Sequence, residues 1–182
     1  LSKLPSKIAA SDLSHKLSSK SFDRILDTPA FMSESTLSGA DKGTALHAFM
    51  QFCDFKKAYD NLETEITRLL EKGYISQVQA DSIDRERAEK FIHSDVINRC
   101  MNSEKVYKEY RFTIKVNADV LDENIPAHLK DEKIVLQGAV DLAFVENEEL
   151  VIVDYKTDRV KDVNKLHSMY NHQLLIYKDA ME

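Results

Sequence analysis

Gly138 to Asp158 reads GAVDLAFVENEELVIVDYKTD. The stretch from Ile134 to Val145 is apolar and rich in β-branched residues, as is Leu150 to Val153, and the polar run Glu146, Asn147, Glu148, Glu149 separates them. Two such runs around a short polar break predict a β-hairpin, although the Asn-Gly pair that favours the tightest turns is missing. A turn centred on Asn147 and Glu148 places Asp141 opposite Asp154. Opposed side chains in a ladder lie roughly 4.5–5.5 Å apart at Cβ. Lys156 then shares the face of Asp154, while Val153 and Tyr155 point the other way, into a core.

Two carboxylates at that spacing repel each other, and one takes up a proton unless a cation stands between them. Oxygen-rich ligation favours a hard divalent ion, Mg2+ or Mn2+. A neighbouring lysine suits an anionic reaction centre, where it orients an attacking water or stabilises charge developing on a phosphate. The plainer alternative is an exposed hairpin with solvated acids. An acid closing the run Leu-Val-Ile-Val argues against it, because solvated charge seldom falls there.

Asp141, followed by Asp154-x-Lys156 at the end of an apolar strand, resembles the PD-(D/E)xK nuclease superfamily. The wording Gly138-x-x-Asp141, then Val-Asp-Tyr-Lys-Thr-Asp, then Gln173-x-x-x-Tyr177 is similar to its RecB-type branch. Order and phrasing resemble most the C-terminal nuclease domain of the AddA family of helicase–nuclease subunits, over roughly Gly43 to Tyr177. The resemblance implies an α/β fold: a restriction-endonuclease-like mixed sheet flanked by helices, with a helical insertion. It implies a Mg2+- or Mn2+-dependent deoxyribonuclease, an exonuclease degrading the 3′-ended strand during double-strand break repair and recombination. Asp141 and Asp154 are then the metal ligands, helped by His47 and the backbone carbonyl of Tyr155, and Lys156 positions or activates the water. Implied partners are DNA and a second, AddB-like subunit, and the implied location is the bacterial cytoplasm.

Further residues follow from the same resemblance. Gly43-Thr-Ala-Leu-His47 matches a Gly-x-x-x-His on a helix ahead of the core; taken alone, such a histidine is more often a packed or exposed one. The superfamily often carries a Glu near the metal, and Glu109 is the matching candidate, with a surface Glu beside Lys108 and Arg111 as the alternative. Gln173 and Tyr177 are expected to touch the site or DNA, or else to be polar residues on the seam of an amphipathic helix.

The chain has 182 residues, 43% of them hydrophobic, enough for a domain with its own core. Its net charge of −6 counts against broad DNA binding by surface charge, but not against a metal-centred cleft. Cys53 and Cys100 form no metal-ligand pattern, which excludes the iron–sulfur cluster of some RecB-type nucleases and fits reduced thiols. No phosphate-binding Gly-x-x-x-x-Gly-Lys-Ser/Thr loop occurs, so ATP is expected only in a helicase region outside this chain. Neither a membrane span nor a signal peptide is visible. A start at Leu1 predicts a processed chain or an excised fragment, and an end soon after Tyr177 predicts C-terminal truncation.

Residues 1–42 read as an arm or linker packing on the domain, and 43–182 as the nuclease domain. Within the latter, a helical insert is expected at about 61–102 and the catalytic core at about 106–180. Gly43 to Asp60 reads as one helix, with Leu46, Phe49, Met50 and Cys53 as its buried stripe. Val106 to Ala118 alternates as a strand, placing Tyr110, Phe112, Ile114 and Val116 inward. Two rival functions remain: a non-catalytic nuclease-like module that binds DNA or a partner subunit, and a stand-alone Cas4-like exonuclease. Binding alone does not call for a lysine two residues after a buried acid, and the cysteines of the second are missing.

Overall fold

The computed structural model describes residues 5–10, 12, 39–121, 125–156 and 163–181. Four strands lie among them: β1 (Lys7–Ala9), β2 (Lys105–Asn117), β3 (Lys133–Glu146) and β4 (Glu149–Val153). The sheet order is β1-β3-β2, with β4 also on β3. β1 runs parallel to β3, with Ile8 opposite Leu136, and β4 runs antiparallel to it. The sheet is therefore mixed, as the sequence led us to expect.

The hairpin has the register that a turn at Asn147 and Glu148 dictates, from Leu142 opposite Val153 to Glu146 opposite Glu149. Both turn residues sit in the left-handed region, at φ 51° and 66°. That is the primed two-residue turn whose twist matches the strands. Asn147 tolerates this conformation; Glu148 gives up about 1–2 kcal/mol for it.

β2 departs from its expected alternation at one point. Phe112 is buried, and Ile114 and Val116 are half-buried, but Tyr110 is 42% exposed rather than inward. The residue before it, Glu109, has φ 49°, which interrupts the pleat and resets the phase of the side chains.

The helices are α1 (Gly39–Phe52), α2 (Phe55–Asp60), α3 (Leu62–Glu71), α4 (Gln77–Ser82), α5 (Arg85–Ile92), α6 (Asp95–Met101) and α7 (Val163–Met181). The single helix expected over 43–60 is thus two. Asp54 breaks it, because its carboxylate accepts the backbone N–H groups of Lys56 and Lys57 and caps a new start. The backbone N–H of Asp54 in turn donates to the buried Glu65 at 2.7 Å, and Arg68 Nε donates to the same carboxylate at 2.6 Å. Glu65 is therefore a satisfied buried acid rather than an orphan charge. Ser76 and Gln79 close a capping box on α4. Ion pairs Arg85–Glu63, Arg87–Asp84 and Lys90–Glu86 lie on exposed or partly exposed side chains, where each adds little to stability.

The chain divides into two compact units. One is built from β1, Tyr110–Val140 and α7. Gly138 belongs there: a Cβ on it would meet Phe112 Cζ at 2.6 Å and the Ala10 methyl at 3.1 Å, so the Phe112 ring occupies the space that a side chain would need. Phe112 packs edge-on against Tyr177 of α7 at 5.8 Å. The other unit takes α1 to α6, the start of β2 as far as Glu109, and the hairpin from Asp141. Its core joins Phe49, Leu69, Ile92, Ile97 and Cys100 of the helices to Leu142, Phe144 and Tyr155 of the hairpin.

β1 lies inside the stretch expected to be an arm. Three residues are too few to show a period, and most of 1–42 falls outside the described residues. Among the described residues no helix is long and apolar enough to cross a membrane.

Candidate metal centre

β3 delivers Asp141 as a buried acid, 8% exposed, within the otherwise apolar run Val140 to Phe144. Its carboxylate is satisfied locally, since the backbone N–H of Tyr155 donates to Asp141 Oδ2 at 2.7 Å. Just past β4 the chain therefore folds its backbone, not only its side chains, against the opposite strand.

α1 delivers His47. Its Nδ1 lies 3.5 Å from Asp141 Oδ1, and its Nε2 lies 3.2 Å from the carbonyl oxygen of Tyr155. The hydrogen bond to Asp141 raises the His47 pKa above 6.5, partly offset by burial; the Asp141 charge, the Tyr155 carbonyl and the Glu109 charge add to the rise. The ring also packs edge-on against that of Tyr155, 5.7 Å between centroids.

β2 delivers Glu109. One ligand atom each from His47, Glu109 and Asp141 lies within 4.8 Å of the others. Glu109 reaches this point from a left-handed backbone, worth about 1–3 kcal/mol for a residue with a Cβ. Local strain of this kind gathers at functional sites because the surrounding structure must enforce it.

Asp154 and Lys156 follow on the strand exit. The Asp154 side chain is 6% exposed and accepts from Lys156 Nζ at 2.8 Å. Burial raises the Asp154 pKa, the Lys156 ammonium pulls it back, and the nearby Asp141 carboxylate raises it again.

The structure thus brings His47, Glu109, Asp141 and the Tyr155 carbonyl together and bonds Lys156 to Asp154. Thr157 and Asp158 lie outside the described residues. Gln173 and Tyr177 belong to the other compact unit. They are buried at 3% and 4%, Gln173 Nε2 donates to the Tyr177 hydroxyl at 2.5 Å, and Tyr177 lies on Phe112.

One residue was not singled out by its sequence. Lys108 Nζ donates to the carbonyls of Met50 at 3.1 Å and Cys53 at 2.5 Å, and stands 3.3 Å above the Phe55 ring. Burial lowers its pKa. The only signal was a lysine in phase with Phe112 and Ile114, which reads as noise in an alternating strand.

Carboxylate oxygens and a backbone carbonyl are hard donors of the kind that hold Mg2+ or Mn2+, and the His47 imidazole adds a borderline nitrogen beside them. A buried pair of acids with one raised pKa gives a cation reason to bind there.

The sequence model of the PD-(D/E)XK nuclease superfamily matches residues 21–182. An ATP-dependent helicase/nuclease subunit of Clostridium kluyveri is 34% identical over 161 residues, covering 86% of this chain and 13% of that protein. Its namesake in Clostridium botulinum Type Ba4 is 34% identical over 195 residues, 99% of this chain and 15% of that protein. The protein of the same name in Clostridium acetobutylicum is 34% identical over 166 residues, with shares of 87% and 13%. The chain spans about one-seventh of the length of these relatives. Because the family match takes in the helix carrying His47, the strand carrying Glu109 and both arms of the hairpin, this chain belongs to the PD-(D/E)XK nuclease superfamily.

Proposed function

We propose that this domain hydrolyses phosphodiester bonds in DNA with a bound Mg2+ or Mn2+. The observation that carries the reading is the meeting of His47, Glu109 and Asp141 within 4.8 Å in the same unit as the Asp154–Lys156 pair. Asp141, Asp154, His47 and the Tyr155 carbonyl would hold the ion, with Glu109 beside them. When bound, the ion supplies Lewis acidity toward a phosphate oxygen and neutralises negative charge.

The chain's own groups have distinct work. The Tyr155 N–H fixes Asp141 Oδ2, which leaves Oδ1 turned toward His47. His47 would serve as a ligand only as the neutral ring, so a proton held between Asp141 and the imidazole would compete with the ion. Lys156 donates one N–H to Asp154, and an ammonium at that point suits an attacking water or a phosphate oxygen. Nothing in this set reads a base, so the chemistry is indifferent to sequence.

In the same reading the domain works as an exonuclease, the nuclease part of an ATP-dependent helicase–nuclease for double-strand break repair and recombination, beside an AddB-like partner in the bacterial cytoplasm. The names of the clostridial relatives support the helicase–nuclease part. A net charge of −6 fits a domain to which DNA is delivered rather than one that captures it by bulk charge.

The test is cleavage of labelled single-stranded and duplex DNA with Mg2+ or Mn2+, comparing the wild type with Asp154→Ala and Lys156→Ala. Loss in both folded variants is expected. Equal cleavage by all three proteins would sink the assignment.

A further inference from the structure

Glu109 is an unusual place for a left-handed residue. It lies inside a strand, carries a Cβ, and follows a lysine whose head is firmly held. Adjacent residues share a planar peptide unit, so whatever anchors one side chain constrains the backbone from which the next one projects. Lys108 is anchored at three points: the Met50 carbonyl, the Cys53 carbonyl and the face of the Phe55 ring. The two carbonyls belong to the end of α1 and the residue that follows it, 58 and 55 positions away in sequence. Helix-end carbonyls carry partial negative charge and lack helical N–H partners, so they suit an ammonium group. α1 is also the helix that brings His47, about one turn before Met50.

We infer that Lys108 is a positioning residue for the metal centre: by locking onto the C-terminal end of α1 and the Phe55 ring, it holds the strained backbone at Glu109 so that the Glu109 carboxylate stays at ligand spacing from His47 and Asp141. The inference rests on the metal-binding reading above and adds a residue to it. Lys108 itself touches no reacting atom. Its role resembles that of the outer partners of metal ligands, whose loss costs about 10–100-fold in metal affinity.

The test is Mn2+ binding to the intact chain, by calorimetry or electron paramagnetic resonance, in a cycle of wild type, Lys108→Met, Glu109→Gln and the double variant. Lys108→Met is expected to weaken Mn2+ binding about tenfold or more. In the Glu109→Gln background the same change is expected to cost almost nothing further, since the carboxylate it positions is gone. A merely structural lysine would instead lower the melting temperature and weaken Mn2+ equally in both backgrounds, and that additive result overturns the inference. Wild-type affinity in Lys108→Met overturns it as well. If Lys108→Met does not melt cooperatively, the cycle is run with Lys108→Gln, which keeps a neutral donor, and the same two results decide. A wild-type chain that binds no Mn2+ overturns the underlying metal-site reading instead, which separates the two failures.

Discussion

The backbone N–H of Tyr155 donates to Asp141 Oδ2 at 2.7 Å, so one carboxylate serves both as a structural acceptor and as a member of the proposed site. These two duties are separable by substitution. Asp141→Asn keeps an acceptor oxygen and is expected to fold near wild-type stability while losing Mn2+ binding and DNA cleavage. Asp141→Ala strands a buried N–H and is expected to lose a further 1–3 kcal/mol or so of stability. Urea unfolding of both variants, with Mn2+ titration, checks the split. Equal stability of the two variants would show that the Tyr155 contact carries no weight.

The raised pKa of His47 has a definite sign in the metal-free chain. Its stabilising contribution is complete below the unfolded value of about 6.5 and is lost as pH rises through the higher folded value. The melting temperature of the metal-free wild type should therefore fall across that window relative to His47→Gln. Mn2+ affinity should rise across the same window, because ligation needs the neutral ring. A Mn2+ affinity that stays constant as pH rises through the His47 titration would remove His47 from the ligand set.

Asp154 behaves oppositely to an ordinary paired acid. Its folded pKa lies above 3.8, chiefly through burial, so the folded state holds more protons than the unfolded state in that interval. Stability falls as pH rises from about 3.8 through the folded value. Asp154→Asn is expected to melt no lower than wild type at neutral pH, and higher where the loss of charge outweighs the lost Lys156 contact. Its DNA cleavage should fall at least about 100-fold. A lower melting temperature at neutral pH, together with retained cleavage, would contradict both halves.

Among the described residues the Tyr155 hydroxyl is buried without a hydrogen-bond partner. An unsatisfied buried polar group costs about 1–3 kcal/mol. Tyr155→Phe is therefore expected to match or exceed wild-type stability in thermal melts. Mn2+ affinity should be unchanged, because the hydrogen bonds of Tyr155 to Asp141 and His47 come from its backbone N–H and carbonyl.

Gly138→Ala places a methyl 2.6 Å from Phe112 Cζ. Phe112 is itself buried and packed on Tyr177, so the ring has little room to give. A loss of roughly 1–3 kcal/mol is expected. Phe112→Leu should recover part of it in the double variant, which denaturant melts of the four proteins would measure.

The hairpin was legible because its information is local: apolar runs, a polar break, and period-two geometry give the pairing of Leu142 with Val153 without further knowledge. The helix ends were legible where capping chemistry is explicit, as at Ser76 and Gln79. Asp54 carried the same signal, but the apolar stripe running through Cys53 overrode it in the reading of a single helix. The backbone conformation of Glu109 escaped for a different reason. A left-handed glutamate inside a strand leaves the sequence alternation intact, and the carbonyls that hold the preceding Lys108 come from the distant end of α1. β1 is three residues long, and its partner lies more than a hundred positions away. The site's acids were visible as a pair, whereas the backbone of Tyr155 as acceptor and donor at once was foreseen only in its carbonyl half.

Tyr155 presents its peptide atoms to His47 and Asp141, while its ring stands edge-on against Phe91 of α5 at 5.3 Å. A transplanted hairpin would therefore arrive incomplete. To move this candidate site onto another scaffold, a designer would have to carry the α5 wall along with the two strands, or rebuild a socket for that ring, before the Tyr155 carbonyl would face an imidazole again.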